Sequence, residues 1–166
     1  MDINKKLIFA KIGILSIVLY ATIHLLEEGL FGFPAWAERS WGIPGYTTDR
    51  WLIHNYFFLG MQLIVFLIYI FKNLKNHYWI LGIVSWGLLN TINHTVFTII
   101  RFEYSPGLIT GFIFIIPYIW MIKVLRQQKK FRKLTIIKGV GIGILLWIIP
   151  IILFLFFDIF ILKVIA

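Results

Sequence analysis

Five apolar runs, roughly residues 7–31, 51–71, 78–100, 107–124 and 135–160, take up most of this chain. Each is long enough for a helix to cross a hydrocarbon layer of about 30 Å at about 1.5 Å per residue. With 60% hydrophobic and only 14% charged residues, a soluble domain of this size could not hide so much apolar surface. Lipid is therefore the expected solvent. The expected fold is all-α, an integral membrane bundle of five transmembrane helices built from residues 1–166 as a single domain. The first run has the position of a signal peptide. It lacks an A-x-A-like cleavage site and continues into a polar cluster, so it reads as a mature helix.

The net charge of +9 would suggest nucleic acid in a soluble protein. Here the basic residues sit between the apolar runs, as topology signals do, and no nucleic-acid partner is expected. Lys5, Lys6, Lys11, Lys72, Lys75 and the seven Lys and Arg from Lys123 to Lys138 flank one side. Only Arg39, Arg50, Arg101 and Lys163 flank the other. The positive-inside rule then predicts a multi-pass protein of the cell membrane, N-terminus inside and C-terminus outside, with residues 32–50 as an outer loop. The chain has no cysteine, which excludes a disulfide framework, a thiolate metal site and a Cys nucleophile.

Against this apolar background, "ATIHLLEEGLFG" places His24, Glu27 and Glu28 inside the first span. A charge at the bilayer centre costs about 2.5–3.5 kcal/mol, and less near the interface. Two adjacent carboxylates also repel each other, so either one is protonated or something cationic holds both. Arg101, a protonated histidine or a metal ion could serve. At about 100° per residue, all three side chains project from one face. The third span repeats the spacing in "NTINH", with Asn90 followed by Asn93 and His94, and Arg101 returns to the Asn90 face. His24 lies about 27 Å along the axis from Lys6, His94 about 24 Å from the opening of its span, and His54 three residues into the second span. Three histidines from three spans are thus expected in one layer, in the outer third of the membrane.

The bland reading of the first cluster is a wetted helix end paired with Arg39 or Arg50. The matching depth of His54, Asn90, Asn93, His94 and Arg101 favours a site. Histidine and carboxylate ligands suit a divalent metal such as Zn or Fe, and catalytic zinc commonly takes three protein ligands plus water. The expected metal set is His24, Glu28, His54 and His94. Glu27 or Glu28 would act as general base or proton shuttle, and Asn90, Asn93 and Arg101 would orient ligands or hold a substrate head group. A metal-free pair of carboxylates could also move protons on a hydrophobic substrate.

Other residues carry simpler expectations. His77 reads as solvated at the inner boundary, and Asp158 as a helix cap. Pro117 and Pro150 are expected to kink the fourth and fifth spans. Gly139, Gly141 and Gly143 are expected to permit close helix approach. Trp36, Trp41, Tyr46, Trp51 and Tyr104 read as an aromatic belt at the outer interface. Within residues 32–50, Pro34 can start a short helix over "AWAERS", with Trp36 and Trp41 dipping into the interface. That segment reads equally as a lid over the histidine layer or as a long loop.

"HLLEE" at 24–28 resembles the signature of the HXXEE-domain proteins, small multi-pass membrane proteins of mainly bacterial origin. His54 and the stretch Asn90, Asn93, His94 and Arg101 are similar to further positions of that pattern, and the likeness covers about residues 15–125. The resemblance implies an intramembrane polar site for catalysis or metal binding and nothing about the reaction. A looser analogy, in architecture only, is to emopamil-binding-type sterol isomerases. The expectation is an intramembrane enzyme acting on a lipid-like or other hydrophobic substrate, with membrane lipids around it and homo-oligomers allowed. The rival readings are a metal-free isomerase-like site, a ligand or ion carrier, and a scaffold whose polar layer joins helices.

Overall fold

The computed structural model describes residues 3–72 and 76–158. Lys75 and Lys163, counted among the flanking charges, lie outside these residues, as does the end of the run drawn to residue 160. The described chain is helical, with no strand. Helix α1 (Ile3–Leu19) passes through a π-helical turn at Tyr20–His24 into α2 (Leu25–Leu30). A short helix α3 (Phe33–Trp41) follows, starting on Pro34 as expected. Then come α4 (Thr48–Phe71), α5 (Tyr78–Arg101), α6 (Leu108–Ile113), α7 (Ile115–Gln127) and α8 (Lys133–Phe157).

Five spans result: Leu7–Leu30, Thr48–Phe71, Tyr78–Arg101, Leu108–Gln127 and Lys133–Phe157, each long and apolar enough to cross a membrane. Their outward faces carry Ile, Leu, Val and Phe that water would not tolerate in such number. The fourth span is interrupted at Phe114. Pro117 explains the break, because its ring excludes the Ile113 carbonyl and it has no N–H to return. Pro150, by contrast, lies within an uninterrupted α8.

Helix α5 is the hub, packing against α1, α4, α6, α7 and, most extensively, α8. The α5–α8 contact is close because small residues meet there. A Cβ on Gly139 would sit 2.4 Å from Leu81 Cδ2, and one on Gly143 would sit 2.8 Å from Ser85 Cβ and 3.1 Å from the Gly82 carbonyl. Gly139 and Gly143 are four residues apart and share the contact face, whereas Gly141 looks into open space.

Two readings are corrected, those of His77 and of the aromatic belt. His77 is buried, not solvated: it stacks on Phe9 at 3.9 Å, and Lys130 Nζ lies 2.6 Å from its Nε2. Asp158 holds the C-cap position of α8, and its side chain pairs with Arg50, which also donates to the Pro44 and Gly45 carbonyls. The aromatic belt is largely an interior cluster. Trp36, Tyr46 and Trp51 are buried together with Phe33 and Phe154, because α3 folds back over the bundle.

Candidate functional site

The π-helical turn ends on His24, and α2 carries Glu28 one turn further on. Such turns add a residue to the helical repeat and recur at functional sites. Helix α5 brings His94 to the same place. Among the described residues, His24, Glu28 and His94 form a group of three potential ligands whose donor atoms lie within 4.8 Å of one another. Glu28 Oε1 sits 3.4 Å from His24 Nε2 and 3.5 Å from His94 Nε2. All three side chains are buried. An ion with bonds of about 2.1 Å to tetrahedral ligands holds those ligands about 3.4 Å apart. The two measured separations fit those edges and are long for hydrogen bonds.

Each ligand atom is aimed by a second contact. Trp51 Nε1–H donates to Glu28 Oε2 at 2.9 Å and leaves Oε1 facing the imidazoles. His24 Nδ1 lies 2.8 Å from Thr110 Oγ1, and His94 Nδ1 lies 2.8 Å from Ser105 Oγ. With each Nδ1 engaged by a hydroxyl, each Nε2 points inward, the arrangement that outer contacts impose on metal-binding histidines. Ser105 is itself fixed by its N–H to Thr98 Oγ1. Gly107 packs against both rings, at a φ of +97° that L side chains rarely adopt, and a Cβ there would lie 2.7 Å from His94 Cε1 and 2.8 Å from His24 Cε1.

The segment from Tyr104 to Thr110 thus backs the site, and Glu27 holds it in place. The Glu27 carboxylate accepts from the Gly107, Ile109 and Thr110 N–H groups at 3.0, 3.1 and 2.7 Å, and from the Tyr104 hydroxyl. It caps the start of α6, where backbone donors have no helical partner and an anion is favoured. Burial and the hydrogen bond to Glu27 hold the Tyr104 phenol above its usual range. The catalytic role expected of Glu27 therefore does not fit: its oxygens are fully engaged away from the cavity. Adjacent glutamates have split, one into the ligand group and one into its support.

A cavity of about 290 Å³ opens beside the group. Glu28, His24 and His94 line it, together with Asn90, Asn93 and His54, so the convergence of three spans on one pocket is observed. Asn90 Nδ2 lies 2.9 Å from His24 Nε2. The other walls are largely aromatic and aliphatic. Phe33 of α3, and Trp41, Ile43 and Tyr46 at and beyond its end, close one side, so the connection over the histidine layer covers the cavity. His54 stands apart from the ligand group. Its Nδ1 lies 2.9 Å from the Tyr46 hydroxyl, and its ring is stacked on Phe154 at 4.6 Å. Arg101 is exposed, donates to the Ser40 carbonyl at 2.5 Å, and does not line the cavity. Sitting at the C-terminal end of α5, it ties α3 down through that hydrogen bond.

Residues 15–122 match the family described as "Protein of unknown function with HXXEE motif". This chain belongs to the HXXEE family. The matched region contains every member of the ligand group, the Trp51 indole and the Tyr104–Thr110 backing. The motif's histidine and final glutamate are His24 and Glu28, and its penultimate glutamate is Glu27. No curated protein and no solved structure shows a match to the chain.

Trp51, Ser105, Gly107 and Thr110 were not foreseen as site residues. "RFEYSPG" reads as a turn, and only the fold shows that this turn packs under two imidazoles.

Proposed function

We propose that this protein is an intramembrane metalloenzyme of the hydrolase type, acting on a lipid-like or other hydrophobic substrate. One observation carries the reading: Glu28 Oε1 lies 3.4 and 3.5 Å from two Nε2 atoms, with the outer nitrogen of each ring engaged. His24, Glu28 and His94 would hold a divalent ion such as zinc or iron, leaving a fourth position toward the cavity. When bound, such an ion makes a water nucleophilic near neutral pH. The chain's own groups then orient and enclose: Trp51 fixes the carboxylate, Asn90 and Asn93 offer amides to the reacting end, and the aromatic walls exclude bulk water. The cavity's apolar lining suits a hydrocarbon chain better than a polar metabolite. The distribution of Lys and Arg supports placing this site in the outer half of a cell membrane.

A second reading rests on Asn90. Its Nδ2 sits 2.9 Å from His24 Nε2, the nitrogen a metal would need. In that reading the imidazoles and Glu28 share a proton and act as an acid–base site without metal. Elemental analysis of protein purified without chelators separates the two. The metal reading expects about one ion per chain, lost in His24→Ala, Glu28→Ala and His94→Ala proteins that still elute as folded bundles, and retained in His54→Ala. Stoichiometric metal surviving in those three variants, or metal-free wild-type protein after zinc or iron supplementation, would refute it.

A further inference from the structure

Two buried polar atoms on residues lining the cavity have no hydrogen-bond partner: His54 Nε2 and Trp86 Nε1. His54 is 7% exposed and Trp86 is 1% exposed, so bulk solvent does not satisfy either. A buried polar group left unpaired is costly and calls for an explanation. Both rings pack on Phe58, His54 at 4.8 Å and Trp86 at 5.5 Å between centroids, so the two residues share a stretch of wall. Neither belongs to the His24, Glu28 and His94 group.

The protonation of His54 follows from its other nitrogen. Burial, with the Glu28 charge adding to it, holds the Tyr46 phenol above its usual range, so the phenol keeps its proton. Among the described residues His54 Nδ1, at 2.9 Å, is the one acceptor in reach of that O–H, which therefore donates to it. A neutral imidazole that accepts at Nδ1 carries its proton at Nε2. Indole nitrogen is a donor in every state. Two residues lining this largely apolar cavity therefore carry unpaired buried donors, while their polar neighbours Tyr20 and Asn55 are already engaged. The Tyr20 hydroxyl donates to Asn55 Oδ1, and Asn55 Nδ2 donates to the Trp51 carbonyl.

We infer that His54 is a substrate-holding residue: its Nε2–H, with Trp86 Nε1–H beside it, receives an oxygen that accepts but carries no proton, the carbonyl of an aliphatic ketone, aldehyde or ester. The inference rests on the proposed function for the identity of the cavity as a substrate site, and differs from it in needing no metal. It also gives the covering segment a chemical role. Tyr46 lies beyond α3 in the connection that closes the cavity, so seating that connection sets which nitrogen of His54 bears the proton.

The test uses the full chain in detergent and two probes of equal length, 2-decanone and decane, titrated while tryptophan fluorescence is followed. Wild-type protein should bind the ketone about tenfold more tightly than the alkane, the worth of satisfying a buried donor. His54→Phe keeps a ring between Phe58 and Phe154 and removes the donor, so the ratio should fall to about one. His54→Gln, which can return an N–H to the same region, should recover most of it. Metal content measured on the same samples should not change. A ratio that persists in His54→Phe, a wild-type ratio of one, or loss of metal in His54→Phe each overturns the inference. If His54→Phe does not fold, Trp86→Phe must lower the ratio, and an unchanged ratio there overturns it as well. Metal-free wild-type protein that still prefers the ketone would sink the metalloenzyme reading and leave this one standing.

Discussion

The Trp51 indole holds one oxygen of Glu28 at 2.9 Å, and the other oxygen is thereby presented to both imidazoles. Trp51 is buried and sits on α4, whereas Glu28 lies near the end of the first span, so this bond fixes a candidate ligand across two helices. Trp51→Phe keeps most of the packing and removes the donor. Zinc affinity, measured by competition with a chromophoric chelator, is expected to fall about 10–100-fold, as it does when outer contacts to metal ligands are removed. An affinity within twofold of wild type would mean that something else orients the carboxylate.

Gly107 is the point where backbone meets both histidine rings. Gly107→Ala adds one methyl group at positive φ and within 3 Å of each ring. The rings must turn, so metal binding should be lost or weakened at least tenfold. The backbone strain itself costs about 1–2 kcal/mol and should lower the melting temperature only modestly. Full metal occupancy in Gly107→Ala protein would contradict the arrangement described.

The two glutamates should separate cleanly when each is replaced. Glu27→Ala leaves three backbone N–H groups and the Tyr104 hydroxyl without an acceptor, at a cost of about 3 kcal/mol. The expected result is a lower unfolding temperature in detergent, with metal affinity reduced only as far as α6 loosens. Glu28→Ala should instead abolish metal binding and leave unfolding close to that of metal-free wild-type protein. The opposite pattern would exchange their roles.

Helix α8 offers a control for close packing. Gly143→Ala forces a Cβ against Ser85 Cβ and the α5 backbone, and should destabilise the bundle by about 1–3 kcal/mol. Gly141→Ala adds its methyl to open space and should be neutral or stabilising by up to about 1 kcal/mol. Thermal unfolding followed by circular dichroism reads both. Equal effects at the two positions would place the α5–α8 contact elsewhere.

Much of the site was legible because polar residues stand out in apolar helices. His24 and Glu28 share a face at i, i+4, and the depth of His94 could be counted from the opening of its span. The reading failed where neighbours in sequence diverge in space. Glu27 and Glu28 lie one residue, about 100°, apart, and nothing local says which meets the imidazoles. Trp51 and Tyr46 looked like interfacial anchors because aromatic residues near a span end usually are. Alternating glycines in "GVGIG" hid the pair four residues apart that makes contact.

The sequence by itself determined that this chain is helical, that five of its segments suit a membrane, and that ionisable groups cluster at one depth of three of them. Hydropathy and helical period are local properties, so they survive without knowledge of the fold. Only the tertiary structure decided which carboxylate joins the histidines, that a turn 80 residues beyond Glu27 supports them, and that His54 belongs to the cavity wall and not to the ligand group. Those outcomes depend on how far each helix is rotated about its own axis. Rotation is set by packing against partners distant in the chain, above all the Trp51 indole and the backbone around Gly107.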